Sequence, residues 1–405
     1  MMKNVKDMNV GFVDVLKKKE FFKVFLAQTI SNFGDSFTRI ALAVFVYQRT
    51  NSAFALSFTL ALQILPRIVF GILSGVLIDR VSRKFLLIFS DLSRTILIFL
   101  IPFSTNQTQI YIIAILHGTF FTIYVPTRLA VMPELTGKIL YPKAASLTQM
   151  SFQITNIFGL AFGGILIEIL GVEMAFQIDS LTFLASALII FSATIPSFEG
   201  KGKSFENFFQ QIKEGFEFMK NQNTLKFIIF VNVLMISFGG MVGSVTFVFL
   251  KDVLGKGSLE YGMLLMTLSF GILSGSFFAG IYDKWLKNKK SIILNGILRS
   301  LTYVLLVFIP SIEILMIVFF FGGIFQSIVS IVGNIYFAEL TPKKLRGRVF
   351  STNSSILFGS QFIAMSLAGF LTEIYGVKTV IFLSGVLMFL GLNFGWKKLY
   401  STPQS

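Results

Sequence analysis

The chain has 405 residues, of which 54% are hydrophobic and only 14% charged, with 49 Phe and 20 Asp+Glu; its mean hydropathy is +0.77. A soluble chain carries about a quarter charged residues and needs about that share to cover itself with a hydrated shell, so a water-soluble fold is excluded. The lack of Cys and the single His remove disulfides, thiol catalysis and the usual thiolate or zinc centres, and no cofactor or metal is expected.

Met1 to Glu20 is polar and rich in lysine (Lys3, Lys6, Lys17, Lys18, Lys19). The apolar run after it is too long for the core of a cleavable signal, so no signal peptide is expected. Apolar stretches of about 20 residues, the length that crosses a bilayer as a helix, occur near 21–47, 54–78, 85–103, 109–131, 144–170, 174–194, 227–249, 258–282, 291–310, 312–336, 349–374 and 379–396. An all-α membrane protein of about twelve helices is predicted. The longest polar interruption, 196–226, holds Pro196, Gly200, Lys201, Gly202 and Lys203 and splits the spans evenly. The expected organisation is a six-helix bundle over 1–195, a linker over 196–226 and a second bundle over 227–405. Within the linker, Phe205, Phe208, Phe209, Ile212, Phe216 and Met219 recur at helical spacing opposite Glu206, Gln210, Lys213 and Glu217, which predicts an amphipathic helix on the membrane surface that tethers the halves.

The formal charge of +15 is explained by position. Arg80, Arg83, Lys84, Arg128, Lys138, Lys143, Lys201, Lys203, Lys284, Lys287, Lys289, Lys343, Lys344, Arg346, Arg348, Lys397 and Lys398 fall at span ends that share a side with both termini, whereas the opposite loops hold Arg49, Lys251, Lys256 and Lys378. By the positive-inside rule both termini are expected in the cytoplasm, and no nucleic-acid partner is implied.

The halves repeat. Pro133-Glu134-Leu135-Thr136 returns as Ala338-Glu339-Leu340-Thr341, and the stretch from Gly164 through Glu168 to Val172 returns from Gly369 through Glu373 to Val377, both at an offset of 205 residues. Phe33-Gly34 maps onto Phe238-Gly239 and Arg94 onto Arg299 at the same offset, and Asp79 onto Asp283 at 204. An even number of spans separates the copies, so they share an orientation and are related by an axis along the membrane normal, as in transporters built from paired bundles.

After the second span stands Gly75-Val76-Leu77-Ile78-Asp79-Arg80-Val81-Ser82-Arg83-Lys84. This resembles motif A of the major facilitator superfamily, G-x-L-x-D-R-x-G-R-K, with Ser82 in place of the second Gly, and the resemblance covers nearly the whole chain. It implies that Asp79 caps the start of the eleventh helix near Arg348 to Ser351 and that Arg83 meets Glu134, latching the cytoplasmic side in one state; the other reading of Arg80, Arg83 and Lys84 is that they only set topology. In the second copy, Asp283-Lys284-Trp285-Leu286-Lys287 is degenerate, and topology is its expected role. Val125-Pro126, Gly159-Leu160-Ala161-Phe162-Gly163-Gly164, Ala175-Phe176-Gln177-Ile178-Asp179 and Leu345-Arg346-Gly347-Arg348-Val349-Phe350-Ser351 resemble the macrolide-efflux and enterobactin-exporter branch. Superfamily antiporters commonly carry a Pro where Leu160 stands and an Arg where His117 stands.

Ionisable groups at mid-bilayer cost at least about 2.5–3.5 kcal/mol each and are functional candidates. Asp35 and Arg67 both fall near the middle of their spans, and Arg39 lies one turn beyond Asp35 on the same face. Their repeat equivalents are Gly240, Ile272 and Ser244, so the cluster belongs to the first half alone. Asp35 is expected either to bind and release a proton against Arg39 or Arg67 or to form a static ion pair with one of them. Arg94 and Arg299, present in both halves, point to a structural or gating role ahead of substrate contact, with Asp91 as a local partner for Arg94. His117 is a candidate proton carrier or a plain hydrogen-bond donor. Glu168, Glu373 and Asp179 read as carboxylates snorkelling at outer helix ends.

No nucleotide loop, nucleophile elbow or metal-ligand cluster appears, so the chain is not read as an enzyme. The chain is read as a monomeric secondary transporter of a bacterial cell membrane, surrounded by the lipid bilayer; the branch resemblance implies export of hydrophobic or amphipathic small molecules, and Asp35 points to protons as the coupling partner. The residues leave open uptake of a polar metabolite, or a sensor or partner protein that transports nothing.

Overall fold

The protein was analysed as a computed structural model, which describes residues 11–68, 78, 80–196, 208–282 and 286–401. Gly75, Val76, Leu77 and Asp79 of the motif, and Asp283, Lys284 and Trp285 of its second copy, lie outside the described residues.

Helices account for nearly every described residue. They are α1 (Phe12–Leu16), α2 (Lys19–Thr50), α3 (Ala53–Leu62), α4 (Arg83–Leu100), α5 (Gln107–Leu170), α6 (Val172–Ser192), α7 (Phe208–Lys220), α8 (Asn223–Leu254), α9 (Ser258–Ile281), α10 (Lys289–Leu306), α11 (Ile312–Leu340), α12 (Arg346–Tyr375) and α13 (Val377–Ser401). Eight of the described stretches are long and apolar enough to cross a membrane by length and composition. At 1.5 Å per residue α5 would run about 96 Å, three times the hydrocarbon thickness. It breaks at Gly137, whose φ of 74° only glycine adopts freely, and so supplies two crossings, 107–136 and 138–170. With α2 and α10, whose charged residues dilute their hydropathy, eleven of the predicted spans are matched; α3 is the start of the remaining one, whose later part lies outside the described residues.

The repeat is visible in backbone geometry as well as in sequence. Gly171 and Gly376, 205 residues apart, turn the chain between the last two helices of each bundle with φ of 86° and 79°. Asn51 (φ 48°) and Gly255 (φ 64°) end the first helix of each bundle in the left-handed conformation. Ser52, Asn106, Asn288 and Ser311 then accept from backbone N–H groups to start the following helices.

The two bundles meet most tightly at the end opposite the basic loops. A Cβ on Gly369 would lie 2.7 Å from both the Ala53 carbonyl and the Phe54 Cα, and one on Gly164 would lie 2.7 Å from the Ser258 carbonyl. These glycines let α12 touch α3, and the second crossing of α5 touch α9, backbone to backbone. At the same end the Tyr47 hydroxyl donates to Asp252 at 2.5 Å, joining two positions that are themselves 205 residues apart.

The linker helix α7 docks on the second bundle. A Cβ on its Gly215 would lie 2.7 Å from Thr352 Oγ1 and 2.8 Å from the Arg348 carbonyl, its Met219 is buried, and its Glu214 pairs with Arg348. The start of α12 therefore carries an acid from the linker helix, Glu214, that the sequence pattern did not single out.

Gly369→Val forces a branched side chain into the α3 backbone and is expected to destabilise this contact by about 1–3 kcal/mol. The chain has no native Cys, so the opening reads directly as faster maleimide labelling of a single cysteine placed at the buried Ser57.

Candidate functional site

At mid-membrane α2, α4, α6 and the first crossing of α5 bring their charges together. Arg94 of α4 is 1% exposed and lies between the rings of Tyr124 and Phe183, its guanidinium carbon 4.5 and 4.2 Å from the two centroids. Enclosing a guanidinium is costly unless it is neutralised and its donors are used. Asp91, one turn earlier on α4 and itself fully buried, accepts from Arg94 Nη2 and takes a 2.7 Å bond from Ser186 Oγ on its other oxygen. On the far side, Arg94 Nη1 lies 3.8 Å from Asp35 Oδ2, and His117 Nε2 lies 3.9 Å from Asp35 Oδ1.

This corrects the expected pairing. Asp35 forms no ion pair within 4 Å with Arg39 or Arg67; its near partners are Arg94 and His117. Helical spacing places Arg39 one turn beyond Asp35, but that turn carries it away from α4 to an exposed position. The guanidinium of Arg67 is held by two rings instead, 4.7 Å from Phe121 and 5.4 Å from Phe358, and Phe358 belongs to the second bundle. Arg67 thus bridges the bundles by cation–π contact.

Asp179 is a second correction. It was expected as a snorkelling carboxylate, yet it is 0% exposed, accepts from Thr182 Oγ1 at 3.0 Å, and its Oδ1 would lie 2.2 Å from a Cβ on Gly34. Gly34 precedes Asp35, so a second acid is packed against the helix turn that carries the first. The usable signal was depth: seven residues into α6, Asp179 is already about 10 Å from the helix end.

Glu168 and Glu373 also differ from expectation. Each reaches across to the opposite bundle: Glu168 accepts from Ser258 Oγ at 3.1 Å, and Glu373 accepts from Ser52 Oγ and, at 3.1 Å, from Phe54 N–H. The two acids therefore close the same end of the molecule from both sides of the pseudo-axis, at the positive starts of α9 and α3. Their repeat relationship was the signal that pointed beyond a surface role.

At the basic end, Arg83 is buried and pairs with Glu134 as the motif implied, while Arg80 is exposed and the ammonium of Lys84 lies 5.4 Å from the Phe191 ring. Ser82, the departure from the motif, caps α4 by accepting from Phe85 N–H. Lys287 pairs with Glu339, so the second copy preserves the first copy's link between neighbouring helices although its sequence is degenerate. Polar bonds join the bundles from Ser57 Oγ, which donates to the Ser244 carbonyl, to the contacts of Glu168 and Glu373 at the opposite end.

The second bundle encloses a cavity of about 330 Å³, at the small end of the range for small-molecule sites. Five carboxamides line it, Asn232, Gln326, Asn334, Asn353 and Gln361, together with Arg299 and a floor of Gly239, Gly240 and Gly243.

Charged clusters at mid-membrane, a duplicated bundle and a closed end are the parts of an alternating-access carrier. Residues 12–400 match the family model described as transmembrane secretion effector. The chain belongs to this family of major facilitator transporters. It is 24% identical over 404 residues to an uncharacterised major facilitator-type transporter, YkuC, of Bacillus subtilis strain 168, covering 94% of each chain. It is 24% identical over 388 residues to macrolide efflux protein A of Streptococcus pyogenes, covering 92% of this chain and 94% of that one. Among solved structures, the nucleoside transporter NupG superposes with a TM-score of 0.77 at 12% identity, covering 95% of this chain and 99% of that one. The protein is a multi-pass membrane transporter and not an enzyme.

Removing one member of a buried pair strands the other at a cost of about 3–5 kcal/mol. Asp91→Ala is expected to approach that loss, whereas Asp35→Asn, at a side chain 20% exposed and with Asp91 still on Arg94, is expected to cost much less. Thermal unfolding of the purified variants in one detergent measures the difference.

Proposed function

We propose that this transporter exports amphipathic small molecules from the cytoplasm across the bacterial cell membrane in exchange for protons, working as a monomer. One observation carries the coupling: Asp35 stands between Arg94 and His117 in the first bundle, while the matching position in the second is Gly240. Asp91 holds Arg94 from within the same helix, so Asp35 is the acid of the cluster that can take up a proton without leaving the guanidinium unpaired. Protonation releases α2 from α4, and deprotonation restores the link.

The likeness to macrolide efflux protein A supports export. The positive-inside bias supports both termini in the cytoplasm, and on that orientation the structure is closed to the outside by Glu168, Glu373 and the Tyr47–Asp252 bond. Substrate from the cytoplasm would meet the amide-lined cavity. Arg83 with Glu134, and Asp79 at the start of α12, would form the latch of the opposite state. The carboxamides of the cavity favour a second reading, carriage of a polar metabolite.

The deciding experiment measures accumulation of labelled hydrophobic antibiotics and dyes in efflux-deficient bacteria expressing the protein. Expression is expected to lower accumulation, and both an uncoupler and Asp35→Asn, at normal protein levels, to abolish that effect. Unchanged or raised accumulation across the panel would end the export reading and turn the test to uptake of polar metabolites.

A further inference from the structure

The two bundles share a backbone plan and one buried arginine, but differ in what surrounds it. Around Arg94 the first bundle places Asp35, Asp91, Asp179 and His117. At an offset of 205 residues these become Gly240, Gly296, Ser384 and Gly322, whereas Arg94 becomes Arg299. The second copy keeps the cation and deletes every acid.

Arg299 is nonetheless buried, at 6% exposure. Its contacts are neutral: Nη2 donates to Gln326 Oε1 at 3.3 Å and the guanidinium carbon lies 4.6 Å from the Tyr303 ring. Among the described residues no carboxylate lies within 4 Å of it, although Arg94 has two. A Cβ on Gly322 would lie 1.9 Å from Arg299 Nη1, so the loss of a side chain at the His117-equivalent position makes the notch that the guanidinium occupies. Gly240, the Asp35-equivalent, lines the cavity beside it. The space that holds a built-in acid in the first bundle is open cavity in the second.

A buried guanidinium without a counter-ion is costly, and its fork of donors matches a carboxylate. From this we infer that the transported molecule carries an anionic group, a carboxylate in the simplest case, which docks on Arg299 in the second bundle and supplies the charge that Asp35 and Asp91 supply to Arg94. The carboxamides of Gln326, Asn353 and Gln361 then take the polar atoms flanking the anion, and Leu265, Leu268 and Phe319 take its apolar part. The inference rests on the transporter reading and narrows it to amphipathic acids.

The test uses the full-length protein in nanodiscs and three probes: dansyl-phenylalanine, its methyl ester and its carboxamide, with affinity read from dansyl fluorescence. The wild type is expected to bind the acid at least about ten-fold more tightly than either neutral form. Arg299→Gln is expected to bind acid and ester alike, with ester affinity within about two-fold of wild type, which also reports that the variant is folded. Arg299→Lys keeps the charge without the fork and is expected to retain part of the preference. A wild type with no preference for the acid, including one that binds no probe, overturns the inference, as does an acid preference that survives in Arg299→Gln. Export and site fail separately: an acid preference lost in Arg299→Gln alongside unchanged cellular accumulation leaves the anion site standing and removes export, and export of neutral dyes without an acid preference does the reverse.

Discussion

Enclosing the guanidinium of Arg94 at mid-membrane organises the first bundle. A full charge in hydrocarbon must be neutralised, and its donors must be met from whatever helices surround it. Asp91 neutralises it from one turn away on α4, the rings of Tyr124 on α5 and Phe183 on α6 cover its two faces, and Asp35 approaches from α2. Four helices are thereby tied to one atom group. Ser186 completes Asp91 from α6, and Gly34 lets Asp179 pack directly against α2. Substituting any of these residues disturbs the setting of the others, so the cluster acts as a unit.

The closed end of the molecule rests on a different kind of contact. Gly164 and Gly369 allow backbone approach without a side chain between, and two glutamates, equivalent under the repeat, each satisfy a helix start in the opposite bundle. Hydrogen bonds to carboxylates are each worth about 1.5–3 kcal/mol net, so the closure is tight in packing yet held by few polar bonds. An interface of that sort separates without unfolding either bundle, which rocking of two rigid bodies requires.

The number of spans, the division into two bundles and the repeat were legible because each is a property of many residues read together. The 205-residue offset marked Arg94 with Arg299 and Glu168 with Glu373, and the structure gives each pair a shared place. Partner choice inside the cluster was not legible. Sequence spacing reports neighbours on one helix, and by that measure Arg39 was the natural companion of Asp35. Which face of α4 or α5 meets α2 depends on packing between helices distant in sequence, and this brought Arg94 and His117 to Asp35 instead. Asp179 was misread because its depth along α6 was discounted, and because the glycine that admits it sits on another span. The pairing of Lys287 with Glu339 survives a degenerate motif because an ion pair needs two opposite charges within reach and no particular spacing of their neighbours.

The contrast between the two arginines ties the cluster to the cavity. Arg94 has two acids, so losing one leaves it paired, and the cost of releasing Asp35 stays well below the about 3–5 kcal/mol of stranding a buried charge. That reserve is what a proton-dependent step needs at this position, since the link between α2 and α4 can break while α4 keeps its own neutral pair. Arg299 has no such reserve among the described residues. Its bundle is left with unmet electrostatic demand that a bound anion would relieve, and the relief exists only while the anion is there. On the proposed reading, a bundle whose charge is balanced internally would respond to a proton, and one whose charge is balanced by its cargo to a substrate. Because the two pack against each other through α3 with α12 and α5 with α9, a change in either is felt at the same interface. Duplication with divergence of three acids and one histidine is a short path to such a division of labour, for it alters four side chains and leaves the shared backbone in place.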